Sequence, residues 1–386
     1  VDADATLWLG KTLSRYMLSR RKVILVGPPT GREISGAYGG GTGGYTRKMQ
    51  LYLNHFRSDR FVQVPCFHSV RGQSFTLGLA GRFLHDLSGF ARALFRTRAG
   101  AVHMLGQYRG ATPREFGMTL LALLFRRPYL YEIKAGVFID WYGHTNPLNR
   151  FMIRFVLKKA TVVLAQGKPY IDFLATELGI PAVYFPNFVA AAEMIPHRRP
   201  SLDVLPVRIL FIGYAFEEKG TGELVTACRQ MAADYRIQLT TIGAEHPDFR
   251  TWADQLSPIK NFTWIRTGKL PHPKVLGQLS ENDIYCYPTR HPGEGHNNTI
   301  NEAMMSGLVV VTTRQGFLAS IVGADRGYLL ADGSSAAIIA AIHEIMNDKT
   351  EAIRRTKNAR QYLETHFVDT IAFRKLENAY AKMLPE

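Results

Sequence analysis

The sequence predicts an α/β protein of two doubly wound domains, each a largely parallel sheet with helices on its faces. Three observations carry this. Short apolar runs recur along the chain with helix-length segments between them, the pattern of consecutive βαβ units. A length of 386 residues with near-ordinary composition suits two globular domains. The pattern also restarts after a polar, proline-studded stretch, Pro196 to Pro206.

In chain order, residues 5–20 read as a short amphipathic helix weakened by Gly10. Lys22-Val-Ile-Leu-Val-Gly27 reads as a buried strand. A loop with Gly36-Ala-Tyr-Gly-Gly-Gly-Thr-Gly-Gly-Tyr45 follows, then helical periodicity over Thr46 to Phe56. A glycine-rich loop between first strand and first helix lets backbone approach a ligand, typically a phosphate. This one lacks both the P-loop ending and a clean G-x-G-x-x-G, and a surface lid is the competing reading. Further strands are expected at Phe61–Pro65, Ala101–Leu105, Pro128–Ile133 and Thr161–Ala165, with His103 a packed or hinge residue. After the proline-studded stretch the series resumes with Val207–Gly213, Leu239–Gly243, Phe262–Ile265, Ile284–Pro288 and Leu308–Thr312.

Chemistry concentrates in Pro292-Gly-Glu-Gly-His-Asn-Asn-Thr-Ile-Asn-Glu-Ala-Met-Met-Ser-Gly307. It follows a buried strand and leads into helix sequence closed by Gly307. Unpaired N–H groups and the helix dipole make the helix start an anion site. Glu294 and Glu302 bracket that start. Carboxylates grip phosphate poorly but accept hydrogen bonds from sugar hydroxyls, so a ligand with sugar, phosphate and sugar in series, a nucleotide sugar, would fit. The plainer reading is that Glu302 only complements the dipole.

The spacing Glu294 to Glu302, followed by Ala303-Met304 and Gly307, resembles the E-x7-E signature of the retaining glycosyltransferases of family 4. The resemblance covers nearly the whole chain and is strongest over residues 207–312. It implies a GT-B fold, two facing Rossmann-like domains with the active site in the interdomain cleft. Residues 1–186 would form the acceptor-side domain and 187–366 the nucleotide-sugar domain, with a terminal helix, 367–386, returning to the first. By the same resemblance Glu294 approaches the donor sugar, Glu302 holds the ribose, and Gly295, His296, Asn297, Asn298 and Thr299 bind sugar and diphosphate. Gly43 and Gly44 correspond to the N-terminal Gly-Gly loop, which faces the donor diphosphate and the acceptor.

Gly213-Tyr-Ala-Phe-Glu-Glu-Lys-Gly220 resembles the family's phosphate loop; Lys219 keeps its position, while Tyr214 replaces the usual arginine. Lys134 stands where many relatives place a histidine beside the donor sugar. That leaves three readings: it does the histidine's work, contacts an acidic sugar or acceptor, or is a loop lysine. The expected catalytic set is Glu294, Lys219 and Lys134. Gly268 falls where relatives hold the base, and the glycine pair after the last strand is reduced to Gly316-Phe317.

Composition narrows the partners. Residues 1–200 hold 27 Lys and Arg against 11 Asp and Glu, a net +16; the remainder holds 20 against 21, a net −1. A basic half joined to a neutral one suggests a polyanion partner, unless the charge is only solvated surface. Without a nucleic-acid module, an anionic membrane surface or a pyrophosphate-bearing acceptor is favoured over nucleic acid. Arg92, Arg96, Arg98, Arg126, Arg127, Arg150, Arg154, Lys158 and Lys159 flank the apolar positions concerned. No apolar run approaches the roughly 20 residues that span a bilayer. Asp2, Asp4 and Lys11 speak against a signal peptide, and the absent initiator Met suggests trimming. Three unpatterned cysteines, Cys66, Cys228 and Cys286, suit a reducing cytoplasm rather than disulfides or zinc.

The expected reaction is therefore transfer of a hexosyl group with retention, without metal or separate cofactor. It runs from a nucleotide-diphosphate sugar (UDP favoured, GDP possible) to a saccharide acceptor, lipid-linked, in bacterial surface polysaccharide assembly. The expected location is the cytoplasm, peripheral on the inner membrane face. The alternatives are another GT-B sugar-nucleotide enzyme of the epimerase type and a non-catalytic polyanion-binding protein.

Overall fold

A computed structural model describes residues 20–30, 44–69, 78–134, 136–194, 196 and 199–385. The amphipathic segment expected over 5–20, all but Arg20, and most of the glycine-rich loop, Gly43 included, lie outside them. By proximity of their Cα atoms the residues divide into two units. One holds those up to Lys134, Phe138–Phe185 and those from Ala372; the other holds Ala135–Val137 and Pro186–Ile371.

The first unit is built on six parallel strands: β1 (Arg21–Gly27), β2 (Phe61–Phe67), β3 (Ala101–Gly106), β4 (Tyr129–Ile133), β5 (Val162–Ala165) and β6 (Val183–Tyr184), in the order β2-β1-β3-β4-β5-β6. β3, β4 and β5 are buried throughout, as continuous apolar runs require when both sheet faces are covered. The order turns back at β1. Right-handed crossovers therefore put helix Gly44–His55 on one face, and helices Leu79–Thr97, Thr112–Leu124 and Pro147–Lys159 on the other. The last helix, Asp369–Met383, joins the first face: Phe373 meets Phe56 edge-on at 5.4 Å and Tyr380 meets Phe61 at 5.6 Å.

The second unit repeats the scheme with β7 (Val207–Ile212), β8 (Ile237–Ile242), β9 (Phe262–Gly268), β10 (Ile284–Tyr287), β11 (Val309–Thr312) and β12 (Tyr328–Leu329), in the order β12-β11-β10-β7-β8-β9. The order reverses between β7 and β10. In an open parallel sheet, loops leaving the carboxyl ends of such neighbours diverge and form a ligand crevice. The two-residue edge strands β6 and β12 are not separable from loop by periodicity, and β9 runs three residues beyond its expected end because Arg266 to Gly268 continue pairing with β8.

The first unit contains a buried ionic cluster. Glu132, on β4, lies 3.7 Å from Lys48 Nζ, 3.4 Å from Lys134 Nζ and 3.3 Å from His103 Nε2, and accepts from Tyr52 OH at 2.6 Å. Tyr380 OH of the last helix sits 2.8 Å from His103 Nδ1. His103 is thus a packed residue. Burial alone would push the Glu132 carboxyl up, but Lys134, Lys48 and His103 outweigh it and hold it well below the usual range. A carboxylate with a depressed folded pKa stabilises above its unfolded value of about 4.3, and that contribution disappears as pH falls through the folded pKa. Replacing Glu132 with Gln removes the buried carboxylate that faces two buried ammonium groups, so urea unfolding at neutral pH is expected to show a loss of about 3–5 kcal/mol, with a shallower decline on acidification than in the parent.

Candidate functional site

The loop after β10 carries a dense polar arrangement. Its helix, Asn298–Ser306, begins because Asn297 adopts extended backbone and its side-chain oxygen accepts from Thr299 N and Ile300 N, satisfying two of the orphan donors of the first turn. It ends at Gly307, whose φ of +84° is the left-handed cap that glycine takes without a Cβ penalty.

Asn297 also ties this helix to Glu294, donating its amide to Glu294 Oε1 at 3.1 Å. The other carboxylate oxygen accepts from Lys219 Nζ at 2.5 Å, Tyr287 OH at 2.9 Å and Thr289 Oγ1 at 3.3 Å. Glu294 is nearly buried, and four donors from three segments hold it. Lys219 comes from the turn Glu217–Lys219 after β7 and also lies 5.4 Å from the centre of the Tyr287 ring. Burial, with Glu294 adding to it, pushes the Tyr287 phenol well up, so it is a donor to the carboxylate at any ordinary pH. Thr299 Oγ1 donates to Asn297 Oδ1 at 2.7 Å and lies 2.6 Å from Tyr285 OH.

The first turn keeps unspent capacity. Both side-chain polar atoms of Asn298 are shielded from water and meet no hydrogen-bond partner among the described residues, uncommon for buried polar groups outside functional sites. Glu302, one turn on, is nearly buried, with Oε1 2.9 Å from His272 Nε2.

Of the residues singled out from sequence, Lys219, Glu294, Asn297 and Thr299 converge in one hydrogen-bonded group, with Gly295, Asn298 and Glu302 on the same loop and helix. His296 turns inward: its Nε2 lies 3.0 Å from Asn301 Oδ1 and its ring packs edge-on against Phe367 at 4.8 Å. Tyr214 leaves β7 beside Phe216 and His246 in an aromatic group. Lys134 belongs to the first unit and its Glu132 cluster. Gly44 opens helix Gly44–His55.

Sequence reasoning missed Tyr287 and Thr289, which read only as strand and turn, and His272, in an unremarked Pro-His-Pro. It also missed Arg290, which bonds the side chain of Glu223 and the carbonyls of Glu217 and Gly333. Arg290 thus braces the turn that carries Lys219. In the same unit Arg266 is committed to Glu245 through two bonds of 2.8 and 2.7 Å.

A polar loop at the carboxyl ends of a reversing parallel sheet, with a capped helix start, a lysine and two carboxylates, has the features of a ligand crevice with an anion site. Residues 198–362 match the family described as Glycosyl transferases group 1. The chain is 25% identical over 181 residues to the capsular polysaccharide biosynthesis glycosyltransferase CapM of Staphylococcus aureus, covering 46% of each protein. It is 25% identical over 179 residues to the amylovoran biosynthesis glycosyltransferase AmsK of Erwinia amylovora, covering 44% of each. The matched stretch thus spans a little under half the length of these curated relatives. Among solved structures, sucrose-phosphate synthase of Thermosynechococcus elongatus superposes with a TM-score of 0.69 at 15% identity over 94% of this chain and 99% of that one. Anabaena HepE in complex with UDP-glucose does so with a TM-score of 0.64 at 13% identity, covering 93% and 99%. The fold is GT-B.

Gly316 lies against this loop at φ +57°, and a Cβ there would come 2.0 Å from Glu294 O. Gly316→Ala therefore strains the backbone by about 1–2 kcal/mol and forces the Glu294 loop to move. The expected result is a lower urea midpoint and a displaced Glu294 in a crystal structure of the variant.

Proposed function

We propose that this chain is a retaining, metal-independent glycosyltransferase of the family 4 type. It would move a hexosyl group from a nucleotide-diphosphate sugar, a UDP-sugar by preference, to a saccharide acceptor in surface polysaccharide assembly. The observation that carries this is the Lys219–Glu294 pair set against the capped start of helix Asn298–Ser306. Unpaired backbone N–H groups and the Lys219 ammonium suit a leaving diphosphate, whose negative charge grows as the glycosidic bond breaks. Two fixed cationic sources of this kind are why no metal is invoked. Glu294 is held by four donors, so its role is to orient the sugar rather than to deliver a proton. Glu302 suits the ribose hydroxyls, which a carboxylate can accept in pairs, and the unpartnered Asn298 amide lies where sugar or phosphate oxygens would meet it.

The names of the relatives support the polysaccharide setting, and the HepE complex with UDP-glucose supports the choice of UDP. A structural neighbour described as an epimerase from Listeria monocytogenes has the same fold, with a TM-score of 0.64, so the reaction must be read from products.

Calorimetry with UDP and GDP tests the donor site. One of them is expected to bind in the micromolar range, and Lys219→Ala and Glu302→Ala to weaken it at least about tenfold, one charged hydrogen bond each. Binding of neither nucleotide would sink the proposal. NMR of the product is expected to show the anomeric configuration of the donor; a free epimerised sugar nucleotide would favour the epimerase reading.

The acceptor would be lipid-linked, and the enzyme peripheral on the inner membrane face. Among the described residues no helix is long and apolar enough to cross a membrane. Helices Leu79–Thr97, Thr112–Leu124 and Pro147–Lys159 share one face of the first sheet, and their outer surface exposes Leu84, Phe95, Leu120, Leu124, Leu148 and Phe151, with Phe95 at 77% and Leu124 at 75%. Arg92, Arg96, Arg98, Arg126, Arg150, Arg154, Lys158 and Lys159 are exposed on the same helices and at their ends, while the carboxylates they contain, Asp86 and Glu115, are buried. Aromatic and aliphatic anchors ringed by cations match an anionic bilayer surface, each cation contributing about 1 kcal/mol near it. Sedimentation with phosphatidylglycerol vesicles, but not phosphatidylcholine vesicles, is expected, with loss at high salt and in the variant carrying Phe95→Ser, Arg96→Glu and Arg154→Glu. Vesicle-independent self-association through this face would instead assign it to a second copy of the chain.

A further inference from the structure

His272 has no part in the reading above, yet the structure places it between two carboxylates. It opens helix His272–Glu281 directly after Pro271. Its Nε2 lies 2.9 Å from Glu302 Oε1, and its Nδ1 lies 4.0 Å from Glu193 Oε2. The three side chains come from separate segments of the second unit: the turn Ala191–Glu193, helix His272–Glu281 and helix Asn298–Ser306. The contact at 2.9 Å is a hydrogen bond, and the one at 4.0 Å is too long for one.

The terminal torsion of a glutamate has a broad, shallow energy profile. A carboxylate left to itself therefore sweeps its lone pairs through a range of directions. An imidazole N–H on Oε1 fixes that plane, and the ring is itself seated at the rigid start of helix His272–Glu281, directly after Pro271. Polar side-chain pairs at exposed helix ends usually do little. This one is different, because Glu302 is nearly buried and the histidine reaches it from a neighbouring helix.

We propose that His272 is a positioning residue of the nucleoside pocket. It holds the Glu302 carboxylate in the orientation that receives the two ribose hydroxyls, and so makes the site selective for ribonucleotides over their deoxy analogues. The inference rests on the reading of Glu302 as the ribose acceptor.

The test measures binding of UDP, 2′-deoxy-UDP and 3′-deoxy-UDP, with the guanosine series in parallel, to the parent chain and to Glu302→Ala, His272→Ala and His272→Gln. Glutamine carries an amide N–H that can take the place of Nε2–H. In the parent, loss of a hydroxyl is expected to weaken binding about tenfold, one hydrogen bond to a charged group. That preference should vanish in Glu302→Ala, shrink to about twofold in His272→Ala, and return in His272→Gln. Changes in overall affinity are a separate readout, since a merely structural defect lowers affinity for all three nucleotides alike. If Glu302→Ala abolishes the preference and His272→Ala keeps it in full, His272 has no positioning role and the inference is overturned. If Glu302→Ala itself keeps the preference, the ribose reading of Glu302 fails first, and this inference with it. Should His272→Ala not fold, His272→Phe, which keeps a ring in that place but carries no N–H for Glu302 Oε1, must still reduce the preference.

Discussion

The loops of the second unit depend on one shielded carboxylate. Glu294 sits away from water, and a charged group in that position is tolerated only when its lone pairs are filled by donors of good geometry. Lys219, Tyr287, Thr289 and Asn297 supply them. Each donor belongs to a different stretch of backbone or a different turn of the same loop. Satisfying one carboxylate therefore fixes the turn after β7, the end of β10 and the start of helix Asn298–Ser306 relative to one another. Gly316 is confined by the same loop from the other side, at a φ that suits glycine.

The first unit solves a similar problem with the signs reversed. Two ammonium groups, Lys48 and Lys134, are buried around the carboxylate of Glu132; burial pulls both ammonium pKa values down, with the Lys134 charge adding to it at Lys48, while Glu132 opposes the shift. His103 and Tyr380 extend the network to the terminal helix, so the last residues of the chain are linked to the middle of the first sheet through polar contacts as well as aromatic packing. Glu132 and Lys134 lie at the carboxyl end of β4, and Lys219 and Glu294 in loops after β7 and β10, where loops diverge and side chains from several segments can converge.

Much of the fold was legible in the sequence because strands of a parallel sheet read as short apolar runs: ten of the twelve strands among the described residues stand out so, eight of them largely buried and two, β2 and β9, half-exposed at the sheet edges. The two that do not, β6 and β12, are two residues long. The helix carrying Glu302 was legible from its cap chemistry, since Gly307 just past a helical stretch is a local signal. Tyr287 illustrates the limit. Its neighbours in sequence mark it as core, and nothing local says that its hydroxyl donates to a carboxylate seven residues later. His272 is the same case at longer range, thirty residues before the glutamate it meets.

The sequence by itself determined the alternation of strands and helices, the division into a basic and a neutral half, and the identity of the loop where carboxylates, short polar residues and a helix start coincide. These are one-dimensional properties: periodicity, composition and capping are set by residues within a few positions of each other. Only the tertiary structure decided which groups pair. It set His296 against Phe367, committed Lys134 to Glu132, gave Lys219 to Glu294 and placed His272 on Glu302. Hydrogen bonds and ion pairs act over about 3–4 Å, and which side chains come that close is set by how the chain folds back on itself, not by their distance along it.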